Sequence, residues 1–257
     1  MGRLVGTVEE TPWWLDVNGT RTAAGTTTPE RIEMLIAGRL LADGYIRGVA
    51  DILSLSVIYE PPGCIGVRVR VPNALAQAAD AIRVHRAAQG CGSRHDLDCN
   101  PAALTREQPL PRVPLPAFPD LFRDLYGNAD RYHETGGMHT AALSDGTDLR
   151  YQVEDVARHN AVDKAIGWAV LEDAERGPLG LILSARVSAE IALKAARAGL
   201  GWVASRSIAT DLAVEIATAA ALPIVARAAS TDAKVFGALL ASADHPAPPV
   251  RSLPEQS

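Results

Sequence analysis

The chain of 257 residues is poor in cysteine and aromatic residues and has no excess of positive charge. Its three cysteines, Cys64, Cys91 and Cys99, are an odd number and too few for a disulfide framework in a chain of this size. A formal net charge of −5 argues against a broad basic face that holds nucleic acid or an anionic membrane. We therefore expect reduced thiols, and a basic pocket at most locally.

Long apolar runs are also missing from the sequence. No segment approaches the roughly 20 consecutive apolar residues that a membrane-spanning helix needs. Residues 1–14 contain one arginine but no apolar run followed by a small-residue cleavage site, so they predict no secretory signal. These absences predict a cytoplasmic protein with neither membrane nor nucleic-acid partners.

The first hundred residues predict a strand-rich α+β part. Asn18-Gly19 is a preferred turn pair for a two-residue hairpin. A helix is expected to start with Thr28 as its cap and to stop at Gly44. Residues 50–60 and 65–71 alternate apolar and polar positions, as half-buried strands do. A further predicted helix leads directly into the loop that contains Cys91.

Six prolines between residues 100 and 119 predict a linker or crossing segment. The chain is thus divided into an N-terminal part (1–100), this segment (101–119), a C-terminal α/β domain (120–240) and an expected disordered tail (241–257). From Leu149 onward, predicted strands and helices alternate, which favours a largely parallel sheet covered by helices. Polar clusters fall where these strands end, the place where sheets of this class bind ligands.

The first polar cluster is TGGMH, from Thr135 to His139. Two glycines allow the backbone to approach a ligand closely, and we expect them to present free amides at the start of a following helix. The alternative is a turn between two helices, with His139 merely half-buried.

The second cluster is EDVARHNAVDK, from Glu154 to Lys164. Asp155, His159 and Asp163 recur at every fourth position, which predicts one shared helical face. Such a face could orient a ligand or tune the histidine. The alternative is that Asp155 caps the helix and the remaining charges form solvated ion pairs.

The third and fourth clusters, residues 184–190 and 205–210, each place hydroxyls and an arginine at the entrance of a helix. Backbone amides, hydroxyls and a guanidinium together suit a phosphate or pyrophosphate. Capping would explain Ser188 and Thr210, but it does not require Arg186 and Arg206 at equivalent places. The pair of clusters favours an anion or nucleotide site.

In their order, these motifs resemble the FdhD family of formate dehydrogenase accessory sulfurtransferases. The TGG-x-H-x-AAL, EDVGRHNAVDK, SGR-x-S-x-E and S-x-S-x-x-T-x-LAVE runs of that family are matched from Thr135, Glu154, Ser184 and Ser205 onward. Ala157 and Ala185 replace a glycine of the second and third runs. The resemblance covers roughly residues 10 to 236 and is stronger after Thr135.

The resemblance implies a homodimeric sulfurtransferase whose C-terminal three-layer α/β domain is similar to the cytidine deaminase fold. Its members take persulfide sulfur from a cysteine desulfurase and pass it to the molybdenum bis(guanine dinucleotide) cofactor, which active formate dehydrogenase requires. A free guanine nucleotide would mimic this bound client. The implied cofactor-binding residues are Gly136, Gly137, His139, Asp155, Arg158, His159, Asn160, Asp163, Lys164, Ser184, Arg186, Ser188, Ser205, Ser207, Thr210, Ala226, Arg227, Ala228, Ala229, Ser230 and Thr231.

One departure concerns the Cys-x-x-Cys pair that the family usually has before the proline-rich segment. Cys91 matches its first, sulfur-carrying cysteine, whereas Arg94 takes the place of the second. A single thiolate is enough to hold and release a persulfide sulfur, so Cys91 is the expected catalytic residue. The alternative is a non-catalytic cofactor-binding chaperone or assembly protein. A zinc-dependent deaminase is disfavoured because the His-x-Glu and Pro-Cys-x-x-Cys motifs are missing, and no metal site is expected.

Overall fold

The computed structural model describes residues 7–80 and 115–237, whose strands form two sheets. The smaller, N-terminal sheet has the order β2-β1-β4-β3 and consists of β1 (Thr11–Val17), β2 (Thr20–Thr27), β3 (Ser54–Glu60) and β4 (Cys64–Arg70). Asn18 and Gly19 join β1 to β2 with φ angles of 50° and 89°. The predicted hairpin and the two alternating strands are therefore confirmed.

The larger sheet has the order β10-β9-β8-β7-β5-β6. Its strands are β5 (His139–Ser144), β6 (Leu149–Asp155), β7 (Gly180–Leu183), β8 (Trp202–Ser205), β9 (Ile224–Ala226) and β10 (Lys234–Phe236). β7, β8 and β9 are parallel, and β6 has the same direction because β5 is antiparallel to both β6 and β7. The predicted alternation from Leu149 onward is confirmed, but the sheet is mixed rather than largely parallel, because the β5–β6, β5–β7 and β9–β10 pairs are antiparallel.

Helices cover both faces of the larger sheet. They are α1 (Ile32–Asp43), α2 (Phe118–Gly127), α3 (Asp130–Thr135), α4 (Arg158–Leu171), α5 (Ala189–Arg197) and α6 (Asp211–Ala219). Consecutive residues of β7 point to opposite faces of the sheet. Leu181 faces the core shared with α1, α4, α5 and α6, whereas Ile182 faces α2. Phe118 and Trp202 meet edge-to-face on the α2 side, with ring centroids 5.4 Å apart. The predicted three-layer α/β architecture is confirmed.

The α1 and α4 helices pack so closely that only glycine fits at their contact. A Cβ atom at Gly38 would lie 1.9 Å from the Asp163 carbonyl oxygen, and one at Gly167 would lie 1.7 Å from that of Met34. This contact fixes α4, which begins at the polar edge of the larger sheet, against the N-terminal part. The domain boundary predicted near residue 100 and the predicted tail lie outside the described residues and stay predictions.

Two local predictions were wrong. The α1 helix begins at Ile32 rather than next to Thr28, whose hydroxyl accepts a hydrogen bond from the Val156 amide at 3.1 Å instead of capping α1. Gly136 and Gly137 precede strand β5, so no helix begins after them. Gly44 does end α1, with a φ of 85°. Within the described part, none of the helices combines the length and apolar character that a bilayer-spanning segment requires.

Candidate functional site

The polar clusters meet along one edge of the larger sheet. The carboxyl ends of β6 to β9 lie at this edge, and His139 opens β5 there, paired with Asp155 at the end of β6. We call the resulting patch the strand-end surface, defined as His139, Arg158 and residues 184–188, 205–210 and 226–231. The larger sheet therefore brings together clusters that are up to ninety residues apart in sequence.

The loops that follow β7 and β8 are bonded into one unit. The Val187 amide donates to the Ile208 carbonyl and the Thr210 amide donates to the Val187 carbonyl, both at 3.0 Å. The buried hydroxyl of Ser205 donates to the Ala185 carbonyl at 2.6 Å. Since these bonds cross between the loops, the third and fourth clusters have a fixed relative position.

The loop after β9 attaches to the same unit. The Arg227 amide donates to the Ser207 carbonyl at 2.7 Å, and the Ala228 amide donates to the Ser205 carbonyl at 2.9 Å. Arg227 has a left-handed backbone with a φ of 52°. Beyond this turn, the remaining predicted residues, Ala229, Ser230 and Thr231, are exposed, while Ala226 and Ala228 are buried.

Besides Ser205, further predicted hydroxyls are hydrogen-bonded within the protein. Ser184 accepts a hydrogen bond from the Thr140 amide at 3.0 Å. Thr210 caps α6 by accepting from the Ala213 amide at 3.3 Å, as capping predicted. Ser188 stands at the start of α5 without a side-chain capping bond, and its Oγ lies 3.5 Å from Nε2 of His159. Its hydroxyl is thus near the half-buried ring of His159.

Four arginines give the strand-end surface a positive character. Arg186, Arg206 and Arg227 are exposed, and Arg158 is half-buried at the start of α4. Arg227 pairs with Asp232 at 2.8 Å, whereas Arg206 lies over the ring of Tyr126, 4.9 Å from its centroid. In the part of the chain that the structure describes, neither Arg186 nor Arg206 is paired with a carboxylate. Guanidinium groups of this kind suit an anionic ligand.

Asp155 and Lys164 lie inside the protein rather than on this surface. Both are fully buried, and the lysine Nζ lies 2.6 Å from the aspartate Oδ2. The carboxylate also accepts from the Thr27 hydroxyl at 2.6 Å and from the Asn160 side-chain amide at 3.1 Å. Lys164 donates in addition to the Thr28 carbonyl at 2.9 Å. The pair joins the end of β2 to the start of α4.

Asp163 forms a second buried pair. Its two carboxylate oxygens lie 2.6 and 2.7 Å from Nζ of Lys194. Burial raises the pKa of Asp163, and the nearby Lys194 opposes that shift. The predicted common face of the second cluster was wrong because Asp155 ends β6, three residues before α4 begins at Arg158, and Asp163 points into the interior.

Both histidines of the site are shifted toward the neutral form. Burial lowers the pKa of His159, and Arg158 lowers it further, while Glu190, 3.3 Å away, opposes the shift. Burial likewise lowers the pKa of His139, again with a contribution from Arg158. The positive charge of the strand-end surface at neutral pH therefore comes from its arginines.

Glu154, which begins the second cluster, was missed as a site residue. Its carboxylate accepts the Arg131 and Tyr132 amides at 2.9 and 2.8 Å, at the first turn of α3. The hydroxyl of Thr135, at the other end of α3, accepts from the Gly137 amide at 3.2 Å. Glu154 thus fixes the helix that leads into the exposed Gly136-Gly137 turn. An acidic residue at the head of a polar motif was the available signal.

The expected catalytic residue, Cys91, lies outside the described residues, as do Arg94 and Cys99. Cys64 is half-buried at the start of β4. Across residues 7–80 and 115–237, no three His, Cys, Asp or Glu side chains are grouped as metal ligands would be.

Residues 8–239 match the model of the FdhD/NarQ family. The chain belongs to the FdhD/NarQ family. One relative, the sulfur carrier protein FdhD of Bacillus subtilis (strain 168), is 33% identical over 194 residues, which are 74% of this chain and 72% of the relative. The sulfur carrier protein FdhD of Staphylococcus haemolyticus (strain JCSC1435) is 30% identical over 201 residues, covering 76% and 75% of the two chains. The predicted family is confirmed.

A solved structure supports the same fold. It belongs to a protein of Desulfotalea psychrophila assigned as a formate dehydrogenase accessory protein, and it superimposes with a TM-score of 0.68 at 22% identity. The superposition covers 90% of this chain and 87% of the other. At this level of identity the likeness shows the architecture, and it confirms the predicted α/β fold class.

Proposed function

We propose that this chain is a sulfur carrier that serves a formate dehydrogenase. In this proposal the strand-end surface binds the molybdenum bis(guanine dinucleotide) cofactor as a substrate, and Cys91 delivers sulfur to it. The proposed cofactor binding rests on one observation: Arg158, Arg186 and Arg206 lie along the same edge of the sheet. The proposed sulfur delivery is supported by the relatives, which are named sulfur carrier proteins.

The cofactor has pyrophosphate groups that suit the guanidinium groups of this surface. A charge-assisted hydrogen bond contributes about 1.5–3 kcal/mol, and the planar guanidinium can present two parallel donors to a phosphate. The hydrogen bonds between residues 184–188 and 205–210 hold the loops in place before the ligand arrives. Binding then requires little ordering of the backbone, which lowers its entropic cost.

Sulfur transfer requires only one cysteine in this chain. The Cys91 thiolate attacks the terminal sulfur of a persulfide on a cysteine desulfurase, so a new S–S bond forms at Cys91 and the desulfurase cysteine leaves as a thiolate. When the substrate attacks that terminal sulfur with an electron pair of its own, a bond between the substrate and sulfur forms, the S–S bond breaks and Cys91 leaves in turn as a thiolate. Arg94 and His95 follow Cys91 closely in sequence, and their positive charge would favour the thiolate form.

A sulfur-loading assay tests the carrier role. The protein is incubated with a cysteine desulfurase and cysteine, and its peptides are analysed by mass spectrometry. We expect one additional sulfur atom on the peptide that contains Cys91, removable by reductant and missing in Cys91→Ala. Cys64→Ala is the matched control and should load normally. Equal loading of the Cys91→Ala protein would refute the carrier role.

The proposal also includes three partners: a cysteine desulfurase as sulfur donor, a formate dehydrogenase as client, and a second copy of this chain in a homodimer.

Co-expression with a formate dehydrogenase distinguishes a sulfur carrier from a non-catalytic chaperone. We expect Cys91→Ala to give an inactive client. If the client matures normally with this variant while the protein still binds GDP, the chain is a non-catalytic cofactor-binding chaperone. Sedimentation of the purified protein measures the oligomeric state.

A further inference from the structure

Two tyrosines lie beside the strand-end surface and belong to none of its predicted clusters. Tyr126 stands near the end of α2 and Tyr132 stands in α3, with ring centroids 6.1 Å apart and an interplanar angle of 60°. Arg206, directly after β8, places its guanidinium 4.9 Å from the centroid of the Tyr126 ring. The two rings are therefore continuous with the edge where the arginines gather.

The backbone around both rings is anchored. Glu154 holds the first turn of α3 through the Arg131 and Tyr132 amides. The Nε2 atom of His133 lies 2.7 Å from the Tyr126 carbonyl oxygen, which joins α3 to the end of α2. The backbone that carries both rings is thus held by hydrogen bonds that do not involve the rings themselves.

The exposure of these rings differs from that of an aromatic pair in the core. Phe118 and Trp202, which meet on the same side of the sheet, are fully buried. Tyr132, in contrast, is 38% exposed and is one of the few large hydrophobic side chains that the described surface leaves open. An anchored aromatic ring that remains open beside a cationic patch offers a stacking face to a ligand.

We propose that Tyr126, Tyr132 and Arg206 form a subsite that stacks a planar nucleobase. The inference rests on the proposed function, because the strand-end surface must first bind the phosphate groups of a nucleotide. Aromatic rings and guanidinium planes both stack on bases, and each base has a π face for them. Arg206 lies at the boundary of the two surfaces, where the base and the phosphates of one nucleotide would meet.

The test compares a ligand that has a base with one that lacks it. Calorimetric titrations with GDP and with inorganic pyrophosphate are made on the full-length wild type, Tyr132→Ala and Tyr132→Phe. We expect Tyr132→Ala to weaken GDP binding about tenfold, in line with the range for base–aromatic stacking, while pyrophosphate binding stays the same. Tyr132→Phe retains the ring and should bind GDP within about twofold of wild type.

Tyr59→Ala is the matched control, since Tyr59 is also exposed but lies on β3 of the smaller sheet. It should leave GDP binding unchanged, and thermal unfolding checks that each variant is folded. If Tyr132→Ala binds GDP as wild type does, or loses GDP and pyrophosphate equally, the stacking subsite is refuted while nucleotide binding stands. If wild type binds neither ligand, the cofactor-binding half of the proposed function fails and the subsite fails with it.

Discussion

Two groups of charged residues near the same edge of the larger sheet differ in their exposure: one group is directed into the interior and the other toward solvent. The Asp155–Lys164 and Asp163–Lys194 pairs are buried, and each charge has a partner within 2.7 Å. Arg186 and Arg206 are exposed, and no carboxylate of the described residues pairs with them. Adjacent motifs therefore serve two purposes: the buried charges position α4, and the exposed ones are available to a ligand.

The largest effect is expected from breaking a buried pair. Asp155→Ala leaves the Lys164 ammonium in the interior without its counter-charge and removes an acceptor from Thr27 and Asn160. We expect the free energy of unfolding to fall by about 3–5 kcal/mol, because an uncompensated buried charge is strongly destabilising. Urea denaturation measures the change. A loss below about 1 kcal/mol would mean that the pair is not buried as described.

A double variant checks the origin of this loss. Asp155→Ala combined with Lys164→Met removes both charges and replaces the lysine by an apolar side chain of similar length. We expect it to recover part of the stability, since replacing a whole buried ion pair costs much less than removing one partner. If the double variant is no more stable than the single one, the lost hydrogen bonds of Thr27 and Asn160 dominate the effect.

A smaller effect is expected from His159, which lies between the buried and exposed groups. Its pKa is lowered in the folded protein, chiefly by burial. The unfolded chain then binds a proton more readily, so the free energy of unfolding should decrease as the pH falls below about 6.5. Urea denaturation at several pH values measures this pH dependence. The His159→Gln variant should lack the part of it that comes from His159.

The Glu190→Gln variant sharpens the test of His159. Because Glu190 raises the pKa of His159, its neutralisation should lower that pKa further. An NMR titration of the imidazole would show this directly. A titration of His159 at or above the ordinary histidine value in wild type would contradict the described burial.

The smallest effect on stability is expected on the exposed side. Arg186→Gln should change the free energy of unfolding by less than about 0.5 kcal/mol, as is usual for a surface position. It should nevertheless weaken GDP binding about tenfold through loss of a charge-assisted hydrogen bond. Arg150→Gln is the control, because Arg150 is also exposed but pairs with Asp145 at the opposite edge of the sheet. Equal GDP affinities of the two variants would contradict the assignment of Arg186 to the strand-end surface.

The alternation of apolar strands and amphipathic helices after Leu149 was enough to predict the larger sheet and the edge at which its polar residues gather. The same reading failed for Asp155, because a spacing of four residues does not say where a helix begins. In the structure, β6 extends through Asp155 and α4 begins at Arg158. The burial of Lys164 could not be predicted either, because its acceptor Thr28, and Thr27, which donates to its partner Asp155, come from the N-terminal part of the chain.

The contribution of α3 could not be read from the sequence either. Glu154 binds amides about twenty residues earlier, and Arg206 meets a tyrosine eighty residues earlier. A single sequence contains no signal that pairs such positions, because each contact depends on how the loops cross the sheet edge. Sequence motifs therefore predicted the residues that follow the strands, but not the contacts that the neighbouring helices make with them.

The glycine contact between α1 and α4 restricts how this chain can be recombined with its relatives. Any larger side chain at Gly38 or Gly167 would collide with the carbonyl group of the facing helix. A chimera that takes α1 from one relative and α4 from another therefore folds only when both parents have glycine at the crossing. For protein engineering, the two helices are best inherited together, as one cassette.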